Sequence, residues 1–159
     1  MIEVRKAERG DAQTILRFIC ELADYEKAAN EVVATVQTIE QSLFGPDAVA
    51  HAVICTRDGA TIGFAVYFFN YSTWLGKRGL FLEDLYVNPS HRGSGAGKEL
   101  LSHLAGIAVS HGCERFEWNV LTWNEPAIAF YESSGAIAQS EWVGYRISGE
   151  ALSALARGD

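Results

Sequence analysis

Apolar and polar side chains alternate over residues 2–7, the period of a strand with one buried face. Asp11 stands in N-cap position before Ile15, Leu16, Ile19, Leu22 and Ala23. Their i, i+3, i+4 spacing predicts an amphipathic helix to about Tyr25. Residues 26–34 are polar and read as a loop, and 35–43 as a short helix stopped by Gly45-Pro46. Residues 51–56 and 61–69 read as strands joined by the hairpin pair Asp58-Gly59. Residues 70–78 read as a connecting loop carrying Trp74, and 79–87 as the next strand. A helix over 98–111 places Leu100, Leu101, Leu104, Ile107 and Ala108 on one face. Residues 115–121 read as a strand, and 126–133 as a helix with Pro126 near its first turn and Gly135 as its stop. Residues 142–148 read as a last strand and 150–156 as a short terminal helix. The order β-α-α-β-β-β-α-β-α-β predicts a mixed α/β, or α+β, fold with a central mixed sheet flanked by helices. No repeat or linker interrupts it, so residues 1–159 read as one domain.

Residues 82–97 are Leu-Glu-Asp-Leu-Tyr-Val-Asn-Pro-Ser-His-Arg-Gly-Ser-Gly-Ala-Gly: a strand with two carboxylates, a Pro-marked turn, a glycine-rich loop, then a helix. Backbone N–H groups of such a loop at a helix N-terminus converge on an anion, and the helix dipole favours negative charge there. A phosphorylated ligand is therefore expected between Arg92 and Lys98. The P-loop pattern fails, because Gly93 and Gly97 are one residue too close and Glu99 stands where the hydroxyl is needed. The dinucleotide fingerprint fails too, since the run is Gly93-x-Gly95-x-Gly97. A plain glycine-rich turn that caps a helix is the alternative.

Arg92, Gly95 and Gly97 satisfy Arg/Gln-x-x-Gly-x-Gly/Ala, which resembles the pyrophosphate loop of the GCN5-related N-acetyltransferases. Residues 123–132, Trp-Asn-Glu-Pro-Ala-Ile-Ala-Phe-Tyr-Glu, resemble the second motif of that superfamily, in which an Asn precedes a helix presenting a Tyr near the thioester sulfur. Ile62-Gly63-Phe64-Ala65, the run from Tyr71 to Lys77, Leu82-Glu83-Asp84 and Trp123-Asn124-Glu125-Pro126 narrow the resemblance to the spermidine/spermine and thialysine N-acetyltransferases. It extends to the run from Glu21 to Glu26 and so covers nearly the whole chain. The resemblance implies the acyl-CoA acyltransferase fold, acetyl-CoA as co-substrate, a small primary amine as acceptor and a homodimer. It also implies that Leu85 and Val87 offer backbone N–H groups to thioester and pantetheine, where the strand splays and its edge faces the cofactor. Ser72 stands where the polyamine-type pattern carries an aspartate, and Tyr71 to Trp74 looks like the thialysine type.

Composition narrows this further. The chain has 159 residues, 48% of them hydrophobic and 21% charged, as in an ordinary globular protein. No apolar run approaches the roughly 18 residues of a membrane span, and no signal-peptide apolar region follows Met1, so no membrane partner is expected. Three cysteines at no metal-ligand spacing point to a reducing, cytoplasmic compartment and to no metal site. Cys20 falls among apolar residues at helical spacing and is expected to be a buried thiol. A net charge of −7 disfavours nucleic acid and suits a cationic substrate.

Acyl transfer to an amine needs a base, a donor for the developing oxyanion and an acid for the leaving thiolate. Glu83, mid-strand among apolar neighbours, is the candidate base, acting through a water. Alternation places Asp84 on the opposite face unless a bulge intervenes, where it would hold the ammonium; an ion pair with Lys77 or Arg78 is the alternative. Tyr131 is the candidate acid, with core packing as the alternative. Gly93, Gly95, Ala96 and Gly97 form the anion loop. Arg92 and Lys98 are phosphate contacts or solvated charges, and Asn124 a pantetheine contact or an N-cap. Glu26 and Glu31 fall in an acid-rich segment that the resemblance places at the acceptor site, and Trp74 is a candidate wall of the amine pocket. A non-catalytic acetyl-CoA-binding sensor is the competing reading; it would need the loop but not Glu83, Asp84 and Tyr131 together.

Overall fold

The computed structural model describes residues 1–158. The chain divides into two compact units, Met1–Asn119 and the residues from Val120 on. The first unit holds β1 (Ile2–Lys6), α1 (Ala12–Tyr25), α2 (Val36–Phe44), β2 (His51–Arg57), β3 (Ala60–Ser72), β4 (Lys77–Val87), α3 (Ala96–Ser110) and β5 (Phe116–Trp118). The second holds α4 (Glu125–Ser133) and α5 (Gly149–Arg157). The sheet order is β1-β2-β3-β4-β5. Neighbours are antiparallel except β4 and β5, which run parallel across the α3 connection. The expected mixed sheet with helices is what forms.

Local chemistry explains the boundaries. Asp58 and Gly59 both have positive φ, 50° and 83°, as a two-residue turn matching the twist of its strands requires. Thr35 caps α2: its hydroxyl accepts from the Thr38 N–H at 3.2 Å, while the Thr38 hydroxyl accepts from the Thr35 N–H at 2.9 Å. Asp11 occupies the N-cap position of α1 but does not cap it with its side chain. Its carboxylate instead accepts two bonds from the Arg5 guanidinium, both 2.8 Å, and one from the Glu8 N–H at 2.8 Å. This pins α1 to β1.

Four expectations change. The loop over 70–78 shrinks to a four-residue turn, because β3 and β4 pair up to Ser72 and Lys77. The Ser72 hydroxyl, almost wholly buried, accepts from the Leu75 N–H at 3.2 Å and so closes that turn. The strand over 115–121 is only Phe116–Trp118, and 142–148 forms no strand. Strand geometry is held by ladder bonds, and alternation alone does not supply a partner. Cys20 is exposed on α1, and Cys55 is the buried thiol.

One face of the sheet packs on α1 and α2 through Ala52, Ile54, Phe64, Val66 and Tyr86 against Ile15, Phe18 and Ile39. The Phe18 ring lies 5.7 Å from that of Phe64 and 5.5 Å from that of Tyr86, centre to centre. Alternating residues Val53, Cys55 and Ala65 are buried on the other face, where α3 contributes Leu100, Leu101, Leu104 and Ala108. Phe18 links the first helix to the strands that carry the site. Phe18→Ala should therefore lose about 3–5 kcal/mol of stability, read by urea denaturation. A loss under about 1 kcal/mol would show that this contact is not central to the core.

Candidate functional site

The site is organised by a break in strand pairing. Val66 of β3 faces Asp84 of β4, but the next residue, Tyr67, faces Leu82. Glu83 is the extra residue of a β-bulge. A bulge bends its strand and raises the local twist. The β5 ladder ends at Leu82, immediately before it, so among the described residues β4 from Glu83 to Val87 has β3 as its only ladder partner. The Asn88 N–H donates to Ile62 O on β3 at 2.8 Å. Alternation then turns the N–H groups of Val87 and Leu85 to the open edge.

The bulge also corrects the expected split of the carboxylates. Leu82 lies on the α3 face, opposite Tyr67, and Asp84 on the α1 face, opposite Val66. Alternation slips at Glu83, so Glu83 and Asp84 are not held to opposite faces. Burial pushes the Asp84 carboxyl up to about 6, with the nearby charges of Glu83 and Glu26 adding to the effect. Burial also raises Glu26, the C-cap of α1. Asp84 is thus close enough to both to feel their charge. Glu83 itself is exposed. The ion pairs considered for these acids do not form: Lys77 pairs with Glu114, and Arg78 lies over the Phe69 ring at 5.2 Å.

α1 ends tightly beside this group. Lys27 N–H donates to Asp24 O at 3.0 Å and Ala28 N–H to Ala23 O at 2.8 Å, a Schellman ending. Lys27 holds the left-handed position, φ 61°, that glycine usually takes. The sequence shows no glycine there and so gives no sign of the turn. Glu31 follows in the exposed turn Ala29–Glu31. Trp74 sits on the β3–β4 turn, 91% exposed. Seven residue steps of strand separate Lys77 from Asp84, roughly 20 Å. Within one chain, Trp74 and Asp84 are at opposite ends of that ladder.

Beyond Val87, Asn88 Oδ1 accepts from the Ser90 N–H at 3.1 Å and the Ser90 hydroxyl at 2.7 Å, and the chain turns through Pro89–His91. Gly93 and Gly95 follow in the left-handed region, φ 74° and 93°, and Gly95 is the N-cap of α3. A Cβ on either would meet open space, so these glycines serve the backbone conformation rather than a crowded contact. Glu99 N–H donates to Gly95 O at 3.0 Å, starting the helix. The N–H groups of Ala96, Gly97 and Lys98 precede that bond and have no intrahelical acceptor by geometry. Ala96 is buried, and Lys98 is exposed. Loop and helix end together bring several backbone N–H groups to one place.

Two contacts to α1 carry no sequence signal, because each joins residues more than sixty positions apart in the chain. The Tyr86 hydroxyl donates to Glu21 at 2.7 Å, and burial followed by that bond pushes its pKa up to about 12. Arg92 Nε donates to Val87 O at 3.2 Å, and its guanidinium lies 4.9 Å from the centre of the Tyr25 ring.

In the second unit, Asn124 is buried and its side chain accepts from the Ala127 N–H at 3.4 Å, capping α4. Tyr131 stands on α4 beside Phe130, ring centres 5.4 Å apart. Among the described residues no three His, Cys, Asp or Glu side chains are grouped to hold a metal, and no helix is long and apolar enough to cross a membrane.

A model of the acetyltransferase (GNAT) family matches residues 16–136. The chain is 35% identical to a thialysine N-ε-acetyltransferase of Sus scrofa over 96% of both chains. It is 34% identical to spermidine/spermine N(1)-acetyltransferase-like protein 1 of Homo sapiens, over 91% of this chain and 22% of that one. In structure it superposes on an integron cassette protein from the mobile metagenome of V. cholerae with a TM-score of 0.81, 28% identity and 98% coverage of both chains.

The raised Asp84 carboxyl has a stability consequence of definite sign. Its folded pKa, about 6, lies above the ordinary value of 3.8, so the folded chain binds the proton more tightly than the unfolded chain. Stability from this group is full below the ordinary value and is lost as pH rises through about 6. Asp84→Asn should be more stable than the parent at pH 8, on the order of 1–3 kcal/mol, with the gain gone at pH 4. Urea denaturation at both pH values checks it; an equal gain at both would trace the effect to shape rather than charge.

Proposed function

The chain belongs to the acetyltransferase (GNAT) family, and we propose that it moves the acetyl group of acetyl-CoA directly onto a primary amine of a small cationic acceptor. That it is an N-acetyltransferase follows from the family and its relatives. The observation that carries the finer reading is the bulge at Glu83. It frees the β4 edge beside two carboxylates and directly upstream of the left-handed glycines. The backbone donors from Gly93 to Lys98 suit a pyrophosphate, and the Leu85 and Val87 N–H groups suit amide and thioester oxygens. These residues fit acetyl-CoA, which would supply the activated acetyl group.

In this reading Asp84 and Glu26 hold the acceptor ammonium at the C-terminal, negative end of α1. A lysine-like amine has a pKa of about 10.4, so its deprotonation at pH 7 costs roughly 4–5 kcal/mol. Glu83 takes that proton through a water. The amine nitrogen bonds to the acetyl carbon, the carbon–sulfur bond breaks, and the Tyr131 hydroxyl returns a proton to the departing thiolate. Asn124 bonds the pantetheine arm in addition to capping α4, and Lys98 and Arg92 add positive charge at the cofactor end. Glu31 borders the acceptor, and Trp74 stands apart from it at the far end of the β3–β4 ladder. Residues 1–159 act as one catalytic domain; the family match runs through the division at Asn119. The resemblance supports a homodimer, and three free cysteines support a reducing cytoplasm.

For the acceptor we favour a thialysine-like amino acid over spermine. The support is the full-length relative and the absence of an aspartate at Ser72. The Ser72 hydroxyl closes the hairpin turn, so the preference rests chiefly on the relative.

Thiol release from acetyl-CoA with thialysine, spermidine and spermine tests the reading, with thialysine expected to give the highest kcat/KM. A strong preference for spermine would overturn the acceptor choice, and CoA binding without turnover on any amine would favour a sensor. Gly95→Val forces a β-branched residue into a left-handed backbone and should weaken CoA binding at least about tenfold without unfolding the chain. Unchanged affinity in that variant would remove the loop from the cofactor site. Tyr131→Phe should lower kcat roughly 10- to 1000-fold with CoA affinity held, the mark of lost proton transfer.

A further inference from the structure

Arg92 opens the glycine loop, yet its side chain turns back onto α1. Its guanidinium carbon lies 4.9 Å from the centre of the Tyr25 ring and 6.0 Å from that of Tyr86. The same side chain donates from Nε to Val87 O at 3.2 Å, at the end of the open β4 edge. Tyr86 in turn donates to Glu21, one turn before Tyr25 on the same helix. We propose that Arg92 is a positioning residue that couples the two halves of the site, fixing the last turn of α1 to the cofactor loop so that filling either half favours the other. The inference rests on the acetyltransferase reading above.

The chain order makes the coupling direct. Tyr25 is the last residue of α1, and the next residue, Glu26, is the C-cap whose carboxylate acts on Asp84. Arg92 is followed by Gly93, the first left-handed residue of the anion cradle. One side chain therefore joins the residue before the acceptor carboxylate to the residue before the cradle. Only a planar guanidinium can stack on a ring and donate from Nε in the plane at once; an ammonium cannot. Linkage requires the effect to be reciprocal, appearing in the affinity of both ligands.

The test uses the whole chain and coenzyme A itself. Calorimetric CoA affinity is measured for the wild type, Tyr25→Leu, Tyr25→Phe, Arg92→Lys, Arg92→Gln and the Tyr25→Leu/Arg92→Gln double variant. Tyr25→Leu should weaken CoA binding about two- to fivefold although it lies on another element. Tyr25→Phe keeps the ring and should stay within about twofold of the wild type. The double variant should bind no more weakly than Arg92→Gln alone, since both remove one coupling. In turnover with whichever amine the wild type acetylates, Tyr25→Leu should raise the acceptor KM by a similar factor while kcat holds. Wild-type CoA affinity in Tyr25→Leu, or additive losses in the double variant, would overturn the coupling. Should Tyr25→Leu fail to fold, Arg92→Lys decides: a loss matching Arg92→Gln supports the proposal, and wild-type affinity overturns it. A wild type that does not bind CoA overturns the acetyltransferase reading and the coupling with it; a wild type that binds, with additive variants, overturns the coupling alone.

Discussion

One extra residue in one strand sets the site. Glu83 has no partner on β3, and from that point three things follow together. The β5 ladder stops, the edge N–H groups of β4 are left for another acceptor, and Asp84 comes to the face where α1 ends. A regular ladder would have sealed the edge and kept the carboxylates on opposite sides of the sheet. The core can tolerate the break because buried residues hold the strands on both sides of it. Phe18, Phe64 and Tyr86 hold β3 and β4 against α1 on one side of the bulge, and Leu80 is fully buried on the other.

Around the broken strand lie two helix ends of opposite polarity, which the proposed function assigns to two kinds of ligand. The C-terminal end of α1 brings carboxylates and the negative end of a dipole, and burial leaves Asp84 and Glu26 with raised proton affinity. The N-terminal end of α3 brings unpaired N–H groups and the positive end of a dipole. A cation and an anion can thus approach the same strand without competing for the same groups. The net charge of −7 reinforces only the first of these attractions. That explains why the anion cradle is built from backbone, whose donors do not depend on the chain's overall charge.

The features readable from sequence were those with local causes. The Asp58-Gly59 turn, the amphipathic stripe of α1 and the glycine turn that opens α3 each rest on a few adjacent residues, and each forms where expected. The bulge could not be read, because it is a mismatch between two strands and neither strand's own pattern records it. The ending of α1 was hidden because Lys27 stands where glycine would have announced it. The hairpin that replaced the expected loop at 70–78 depends on cross-strand pairing up to Ser72 and Lys77, which local polarity conceals. The alternation over 142–148 was genuine in the sequence, yet forms no strand without a paired neighbour. Arg92 was legible as a motif residue, but not as one that lies on Tyr25, since that contact spans more than sixty residues of chain.

The order of the strands carries a consequence for how the protein assembles. β1 through β4 lie side by side in chain order, and the two hairpins β2–β3 and β3–β4 pair residues that are near in sequence. Such local pairings form early because little loop entropy opposes them. The parallel contact of β4 with β5 is different, for it must close over the whole α3 crossover. The glycine cradle lies within that crossover, between the strand that starts it and the helix that spans it. A ligand seated there grips the most slowly formed segment of the sheet. If the proposed cofactor binds there, it would slow local opening of α3 and β5 and leave the hairpin meander to exchange its amide protons much as before.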